Sequence, residues 1–192
     1  SDNLWQLKQQ PKKLLVLGGG PIGCELAQSF ARLGTEVSQV EMLPRLMIRE
    51  DPEVSEFVQK RFEQEGVRVL CEHKAVEFKN DDGRKSLICE NAEGRVELEF
   101  DEVLIAVGRA ARLEGFGLQA LDVPISKRRT IEVNEYLQAG YPSLYACGDI
   151  AGPYQFTHTA SHQAWYASVN ALFGKFKKFK VDYSVIPWAT FT

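Results

Sequence analysis

Four glycines close together form the segment of this sequence with the clearest chemical signature. The run Gly18-Gly19-Gly20-Pro21-Ile22-Gly23 has the GxGxxG spacing typical of loops that bind the diphosphate of a dinucleotide. The first glycine permits a tight turn, the third lets the backbone approach a pyrophosphate, and the last lets a helix pack closely on a strand. All six residues are therefore predicted to bind a nucleotide cofactor, whose phosphates face the N-terminus of a helix.

An acidic residue follows these glycines at the spacing expected of a ribose ligand. Glu41 ends a predicted strand about 20 residues after the glycines. A carboxylate there accepts hydrogen bonds from both ribose hydroxyls and repels a 2′-phosphate, which favours NAD over NADP. Arg45 and Arg49 follow shortly, and a nearby arginine tolerates that phosphate, so NADP stays the alternative.

The elements around these residues alternate between strand and helix. Residues 13–17 and 35–41 read as strands that flank a helix opening at Pro21 and closing at Gly34. Asp51 and Pro52 are a typical start for a second helix. A third strand is predicted at residues 67–71. The predicted buried face of the second helix consists of four apolar residues: Val54, Phe57, Val58 and Phe62.

The hydrophobic pattern of the sequence changes after residue 72. Short alternating runs at 75–79, 85–90 and 95–100 are separated by turn sequences, which predicts a three-stranded antiparallel meander. Residues 102–107 return to a continuous apolar run, typical of a parallel sheet. Strands at 130–134 and 143–147 and a helix over 158–173 complete the prediction. The predicted fold class is α/β: a Rossmann-like parallel sheet with helices on its faces and an inserted three-stranded antiparallel meander.

Composition narrows the function classes. The chain has 192 residues, 44% of them hydrophobic, and a net charge of −3, which argues against a nucleic-acid partner. No apolar run is long enough to predict a membrane segment. The four cysteines form no CxxC pair, which favours a reducing, cytoplasmic setting. His158 and His162 are spaced like zinc ligands, but without a third ligand in view no metal site is predicted.

Four segments, which follow one another in the family's order, resemble the pyridine nucleotide-disulfide oxidoreductases. This is the family of dihydrolipoamide dehydrogenase, glutathione reductase and mercuric reductase. The segments are LLVLGGGPIGCELAQSFARLGTEV at 14–37, LPRLMIREDPEVSEFVQKRFEQEGVRVL at 43–70, EVLIAVGR at 102–109 and LYACGDI at 144–150. The second segment is most similar to the mercuric reductase type. The resemblance covers nearly all of residues 12–192.

The resemblance implies roles for further residues. Glu25 corresponds to a catalytic glutamate near the nicotinamide and the flavin N5, and the backbone of Gly108 is expected to line the nicotinamide site. Gly148 and Asp149 correspond to the FAD motif whose aspartate binds the ribityl chain. His158 corresponds to the position whose backbone N–H faces the flavin pyrimidine.

Two features depart from a simple transfer of the family pattern. The family continues Gly-Arg-x-Pro-Asn, whereas Ala110-Ala111-Arg112 follows Arg109 here, so the geometry of this loop is not carried over. Cys24 and Cys147 have no nearby partner cysteine and are interpreted as small buried residues rather than redox groups.

The resemblance also implies a domain division. Residues 1–122 are expected to form the NAD(P)-binding domain, 123–183 the C-terminal portion of the FAD-binding domain, and 184–192 the start of an interface domain. The full-length family member is a homodimer that passes a hydride from NAD(P)H to FAD, then electrons to a disulfide or small-molecule acceptor. The FAD adenine site and the redox cysteine pair belong to an N-terminal segment outside these residues, so this chain alone is expected to be inactive and to bind FAD weakly.

Two other functions fit the same residues. One is a non-disulfide flavoprotein such as an NADH dehydrogenase or a ferredoxin reductase-like enzyme. A CxxxxC motif in the N-terminal segment would favour the disulfide oxidoreductase over this alternative. The other is a non-catalytic nucleotide-binding module, which NADH oxidation by the full-length protein would exclude.

Overall fold

The computed structural model describes residues 3–192, which form two compact units. The first runs to Gly108 and includes Ala189–Thr192, and the second comprises Arg109–Trp188. The domain limits predicted at residues 122 and 183 stay predictions.

The described part of the chain contains seven strands in two sheets. Their bounds are β1 Lys13–Leu17, β2 Glu36–Val40, β3 Arg68–Leu70, β4 Lys74–Asp81, β5 Arg84–Asn91, β6 Gly94–Phe100 and β7 Glu102–Ile105. The first sheet is parallel throughout, in the order β3-β2-β1-β7, and the second is the antiparallel meander β4-β5-β6. Both sheets and the return of the chain to the parallel sheet at β7 confirm the prediction.

Within residues 3–192, three α-helices accompany the sheets: α1 Pro21–Arg32, α2 Pro52–Gln64 and α3 Thr157–Phe173. Proline occupies the first turn of both α1 and α2, where its missing N–H breaks no helical hydrogen bond. Short 3-10 turns lie at Leu4–Gln6, Leu118–Leu121 and Gly148–Ile150. The helix predicted over 158–173 is thereby confirmed, with one further residue at its start.

The predicted buried face of α2 is partly wrong. Val58 and Phe62 are buried, but Val54 is 43% and Phe57 70% exposed, and Ser55 is buried in their place. Residues 55, 58 and 62 recur every three to four positions and define one stripe, from which 54 and 57 are each rotated by about 100°. The Ser55 hydroxyl is satisfied inside the core, because it accepts a hydrogen bond from Arg45 at 2.8 Å.

The two faces of the parallel sheet are covered differently. Alternate sheet residues such as Leu14, Val16 and Val37 pack against α1 and α2, with Phe62 fully buried between them. The opposite face packs on the meander, through a second cluster that contains Leu15, Leu17, Val40, Leu70, Leu87, Cys89, Leu98 and Phe100. Strands buried on both faces explain the continuous apolar runs in their sequences.

The second unit is mostly irregular outside α3. The strands predicted at 130–134 and 143–147 are wrong, because these described residues form only isolated bridges, Ile125 with Ile131 and Gln138 with Tyr145. Asn134 explains part of the difference, since its side-chain oxygen accepts hydrogen bonds from two backbone N–H groups and holds a turn. A small core lies beneath these loops: Val123, Ile131, Ala139, Ala146 and Ala151.

Candidate dinucleotide-binding site

The glycine loop leaves the carboxyl end of β1 in a turn that depends on glycine. Gly18 has φ +111°, and a Cβ there would collide with the carbonyl of Ala106 just beyond β7. Its N–H donates to the Val40 carbonyl at 2.8 Å. The turn is thus fixed between the carboxyl ends of β2 and β7, where the strand connections diverge and α/β sheets bind ligands.

The other glycines of the loop face different surroundings. A Cβ on Gly23 would collide with the Gly18 carbonyl oxygen, so close packing of α1 on the loop requires glycine at that position. A Cβ on Gly20 would meet nothing within 4 Å. The loop is therefore closed toward the protein and open on the side of Gly20, as the approach of a ligand to the backbone requires.

The N-terminus of α1 keeps its positive character. Gly20 is the N-cap residue and offers no side chain, and the first turn, which begins with Pro21 and Ile22, carries no acidic residue. The N–H groups at such a helix start attract anions, helped by the partial charge of the helix dipole. A diphosphate fits this donor set and the open side of the loop.

Glu41 lies directly after β2 and contacts the glycine loop. Its carboxylate accepts the Gly19 N–H at 2.5 Å through Oε2 and the Leu43 N–H at 2.8 Å through Oε1. The Glu41 side chain is only half-buried, so it stays accessible to a ligand beside the loop. The structure thus brings together the two features that the sequence pattern predicts for phosphate and ribose.

The two arginines that follow Glu41 differ in their surroundings. The Arg45 guanidinium donates to the Glu50 carbonyl and the Ser55 hydroxyl, both at 2.8 Å, and to the Ile48 carbonyl at 3.2 Å. These bonds hold the 45–50 loop against α2. Arg49 is exposed. Arg45 therefore serves the loop itself, and a 2′-phosphate would have to compete for it.

Glu25 and Gly108 belong to the same unit as the glycine loop. Glu25 lies one turn into α1, and its Oε1 accepts the backbone N–H of Phe191 at 2.9 Å. Gly108 follows β7 with φ +127° and is exposed, with open space where a Cβ would stand. Their roles at a nicotinamide stay predictions.

Two buried groups lie beneath the glycine loop: Gln39, which the sequence reasoning missed, and Cys24, whose interpretation as a small buried residue is confirmed. Gln39 on β2 is fully buried, and its Nε2 donates to the Gly18 carbonyl at 3.0 Å. Cys24, also fully buried, donates to the Gly19 carbonyl at 3.4 Å, and burial raises the pKa of its thiol to about 12. A glutamine at an inward position of an apolar strand is the signal that could have revealed the first.

The second unit contains the residues assigned to FAD. Gly148 has φ +79°, and its N–H donates to the Gln163 Oε1 at 2.5 Å, so a buried side chain of α3 holds this turn. Asp149 lies 3.6 Å from the Arg109 guanidinium, in a solvent-exposed pair of the kind that stabilises little. The Asp149 carboxylate is therefore accessible, as a polyol ligand requires.

His158 lies in the first turn of α3 and is exposed. Its ring stacks on Phe156 at a centroid distance of 5.2 Å. No side chain caps the helix start at Phe156, so the first-turn N–H groups are left for another acceptor. An open cleft of about 320 Å³ in this unit is lined by Ala111–Gly115 and Arg129, and none of the predicted site residues lines it.

Residues 3–192 show neither a cluster of metal ligands nor a helix suited to span a membrane. Within residues 3–192, no group of three or more His, Cys, Asp or Glu side chains is arranged to hold a metal ion. His162 instead contacts the Asp182 carbonyl through Nε2 at 2.9 Å. None of the helices in this range combines the length and apolar character needed to cross a bilayer. All four cysteines are free thiols.

Comparison with known proteins identifies the family. A family model described as pyridine nucleotide-disulphide oxidoreductase matches residues 1–164. A dihydrolipoyl dehydrogenase of Thermus scotoductus is 37% identical over 84% of this chain, and a mercuric reductase of Lysinibacillus sphaericus is 34% identical over all of it. The chain spans 35% of the length of each of these two relatives.

A solved structure shows the same fold. A ferredoxin reductase from Rhodopseudomonas palustris superposes with a TM-score of 0.79 at 26% identity, covering 90% of this chain and 43% of that one. The family match covers most of the sequence, and the parallel sheet, glycine turn and meander agree with it. The chain therefore belongs to the pyridine nucleotide-disulphide oxidoreductase family.

Proposed function

We propose that this chain is the NAD-binding core of an FAD-dependent oxidoreductase, together with part of its flavin site. One observation carries the proposal: the loop from Gly18 to Gly23 is closed toward the protein, open at Gly20, and hydrogen-bonded to the Glu41 carboxylate. That combination suits a diphosphate joined to a ribose. When bound, NADH supplies a hydride and FAD accepts it.

Each group of this chain has a defined part in the proposal. The first-turn N–H groups of α1 hold the diphosphate, and Glu41 accepts hydrogen bonds from the ribose hydroxyls. Glu25 and the backbone of Gly108 orient the nicotinamide. In the second unit, Asp149 and the N–H groups at the start of α3, including that of His158, hold the flavin ribityl chain and pyrimidine.

NAD is proposed over NADP because of the charges beside the ribose. Glu41 repels a 2′-phosphate, and Arg45 is bound to three acceptors of its own loop. Of these two arginines, only the exposed Arg49 remains available to offset the repulsion. Solvent screens its charge, so one ion pair at that position contributes little.

The wider biology is proposed from the family. The complete protein is proposed to be a homodimer that delivers electrons to a disulfide or a small-molecule acceptor. A reducing, cytoplasmic setting is supported by the four free thiols.

Titration of the purified chain with NADH and with NADPH tests the cofactor proposal. We expect NADH to bind at least about tenfold more tightly. In Glu41→Gln the amide keeps the shape but not the charge, so the preference should shrink several-fold. Glu36→Gln, at the exposed start of the same strand, is the matched control and should bind like the wild type. Failure of both nucleotides to bind would refute the proposed function, and tighter NADPH binding would refute the NAD assignment.

A further inference from the structure

Gln39 is a polar residue in an otherwise apolar part of the protein. It lies on β2 two positions after Val37, on the face that packs against α1, and it is fully buried. Val16 is its partner in the register of β1 and β2, and the hydrophobic cluster on this face of the sheet contains Val16 and Val37. A buried polar side chain in such surroundings is destabilising unless its hydrogen-bonding groups are satisfied.

The amide nitrogen of Gln39 is directed at the glycine loop. Nε2 donates to the Gly18 carbonyl at 3.0 Å and lies 3.5 Å from the Cys24 sulfur. A Cβ built on Gly23 would stand 3.3 Å from the same nitrogen. The amide is therefore packed under the junction at which the loop becomes helix α1.

The amide oxygen of Gln39 is in the opposite situation. Among the described residues, Oε1 is buried and has no hydrogen-bond partner. Leaving a buried acceptor unsatisfied destabilises a protein, whereas an apolar side chain of similar volume avoids that loss. Methionine at this position would avoid that loss but would also leave the Gly18 carbonyl without its Nε2 donor, so the two effects on fold stability oppose each other. What glutamine adds is the hydrogen bond that holds the Gly18 carbonyl.

We propose that Gln39 is a positioning residue for nucleotide binding, which fixes the Gly18 carbonyl and so sets the orientation of the loop N–H groups toward the diphosphate. This inference rests on the proposed binding of NAD. It adds a residue that touches no ligand: Gln39 acts through Gly18, from the side of the loop opposite the open face at Gly20.

The test separates affinity from stability in a single variant. Gln39→Met keeps the side-chain volume, removes the donor and removes the unsatisfied oxygen. We expect the dissociation constant for NADH, measured by titration of the 192-residue chain, to rise about fivefold or more. The melting temperature should stay within about 4 °C of the wild type, because the two changes oppose each other.

A matched control uses the same exchange elsewhere in the unit. Gln28 is also buried, on α1, and its side chain helps to lower the pKa of Glu65 at the end of α2. Gln28→Met should therefore leave NADH affinity unchanged. If Gln39→Met binds NADH within twofold of the wild type, the positioning role is refuted while NAD binding stands. If the wild type binds neither nucleotide, both proposals are refuted.

A second measurement needs no variant and so does not depend on its folding. In ¹⁵N-labelled wild-type protein, the side-chain amide resonances of Gln39 should shift when NADH is added, because their acceptor is part of the loop. Those of Gln28 should stay in place. Unchanged Gln39 resonances at NADH saturation would refute the proposal.

Discussion

At the scale of single residues, the glycines of the loop serve two different purposes, packing within the protein and access for a ligand, which the GxGxxG motif does not distinguish. Gly23 is required by the protein, since its missing side chain makes room for the Gly18 carbonyl. Gly20 has φ −78° and open space around it, so the fold itself accepts a side chain there. Under the proposed function, the requirement for glycine at that position comes from the ligand.

The two positions therefore predict opposite phenotypes for the same substitution. Gly23→Ala should lower the free energy of unfolding by about 1–3 kcal/mol, because the added methyl group overpacks the junction of loop and helix. Gly20→Ala should change it by less than about 1 kcal/mol but weaken NADH binding strongly, because the methyl group stands where the diphosphate approaches.

Urea unfolding and NADH titration of both variants check this pair. Equal stability of the two variants would contradict the packing role of Gly23. Wild-type affinity in Gly20→Ala would contradict the approach of a ligand at this face.

At the scale of elements, α1 and α2 are fixed to each other as well as to the sheet. Arg32 near the end of α1 makes two hydrogen bonds of 2.9 Å to Glu65 at the end of α2. These bonds lower the pKa of Glu65 to about 2. The ion pair therefore persists below the pH at which an ordinary glutamate takes up a proton. Its contribution to stability is complete above that pH and is lost as the pH falls toward about 2.

The packing of α2 predicts a sharp contrast between two phenylalanines. Phe62 is fully buried, so Phe62→Ala should lower the free energy of unfolding by about 3–5 kcal/mol. Phe57 is 70% exposed, so Phe57→Ala should change it by no more than about 0.5 kcal/mol. Urea unfolding followed by circular dichroism compares them, and similar losses in the two variants would contradict the observed orientation of the helix.

These elements also show what a sequence can and cannot reveal. The strands, the meander and the first two helices follow from periodicity, glycine and proline, which act locally. The orientation of α2 depends on Ser55, whose hydroxyl is buried only because Arg45 and a loop carbonyl satisfy it. Part of the failure of the strands predicted in the second unit reflects the turn that the Asn134 side chain holds. Gln39 was missed because only tertiary contacts give its amide a target.

At the scale of the whole molecule, the four thiols differ in their access to solvent. Cys24 and Cys89 are buried, and burial raises their thiol pKa values to about 12 and about 11. Cys71 and Cys147 are only partly buried. Burial also raises the pKa of the Cys71 thiol. Because the thiolate is the reactive form and must be reached by the reagent, the difference in exposure predicts two classes of cysteine.

Reaction with a chromogenic disulfide reagent at mildly alkaline pH should therefore show two phases. Cys71 and Cys147 should react in the native protein, whereas Cys24 and Cys89 should react only as fast as the first unit opens. All four should react at once in concentrated denaturant. Rapid modification of Cys24 in the native state, located by mass spectrometry, would contradict the packing beneath the glycine loop.

The carboxylate of Glu41 has a further consequence for kinetics. Together with the bonds of Gly18 to Val40 and of Gly19 to Met47, it locks the loop before any nucleotide arrives. The entropy of ordering this segment is thus lost during folding rather than on association. A pre-organised site of this kind binds related ligands with similar association rates. Discrimination between them therefore lies in their dissociation rates.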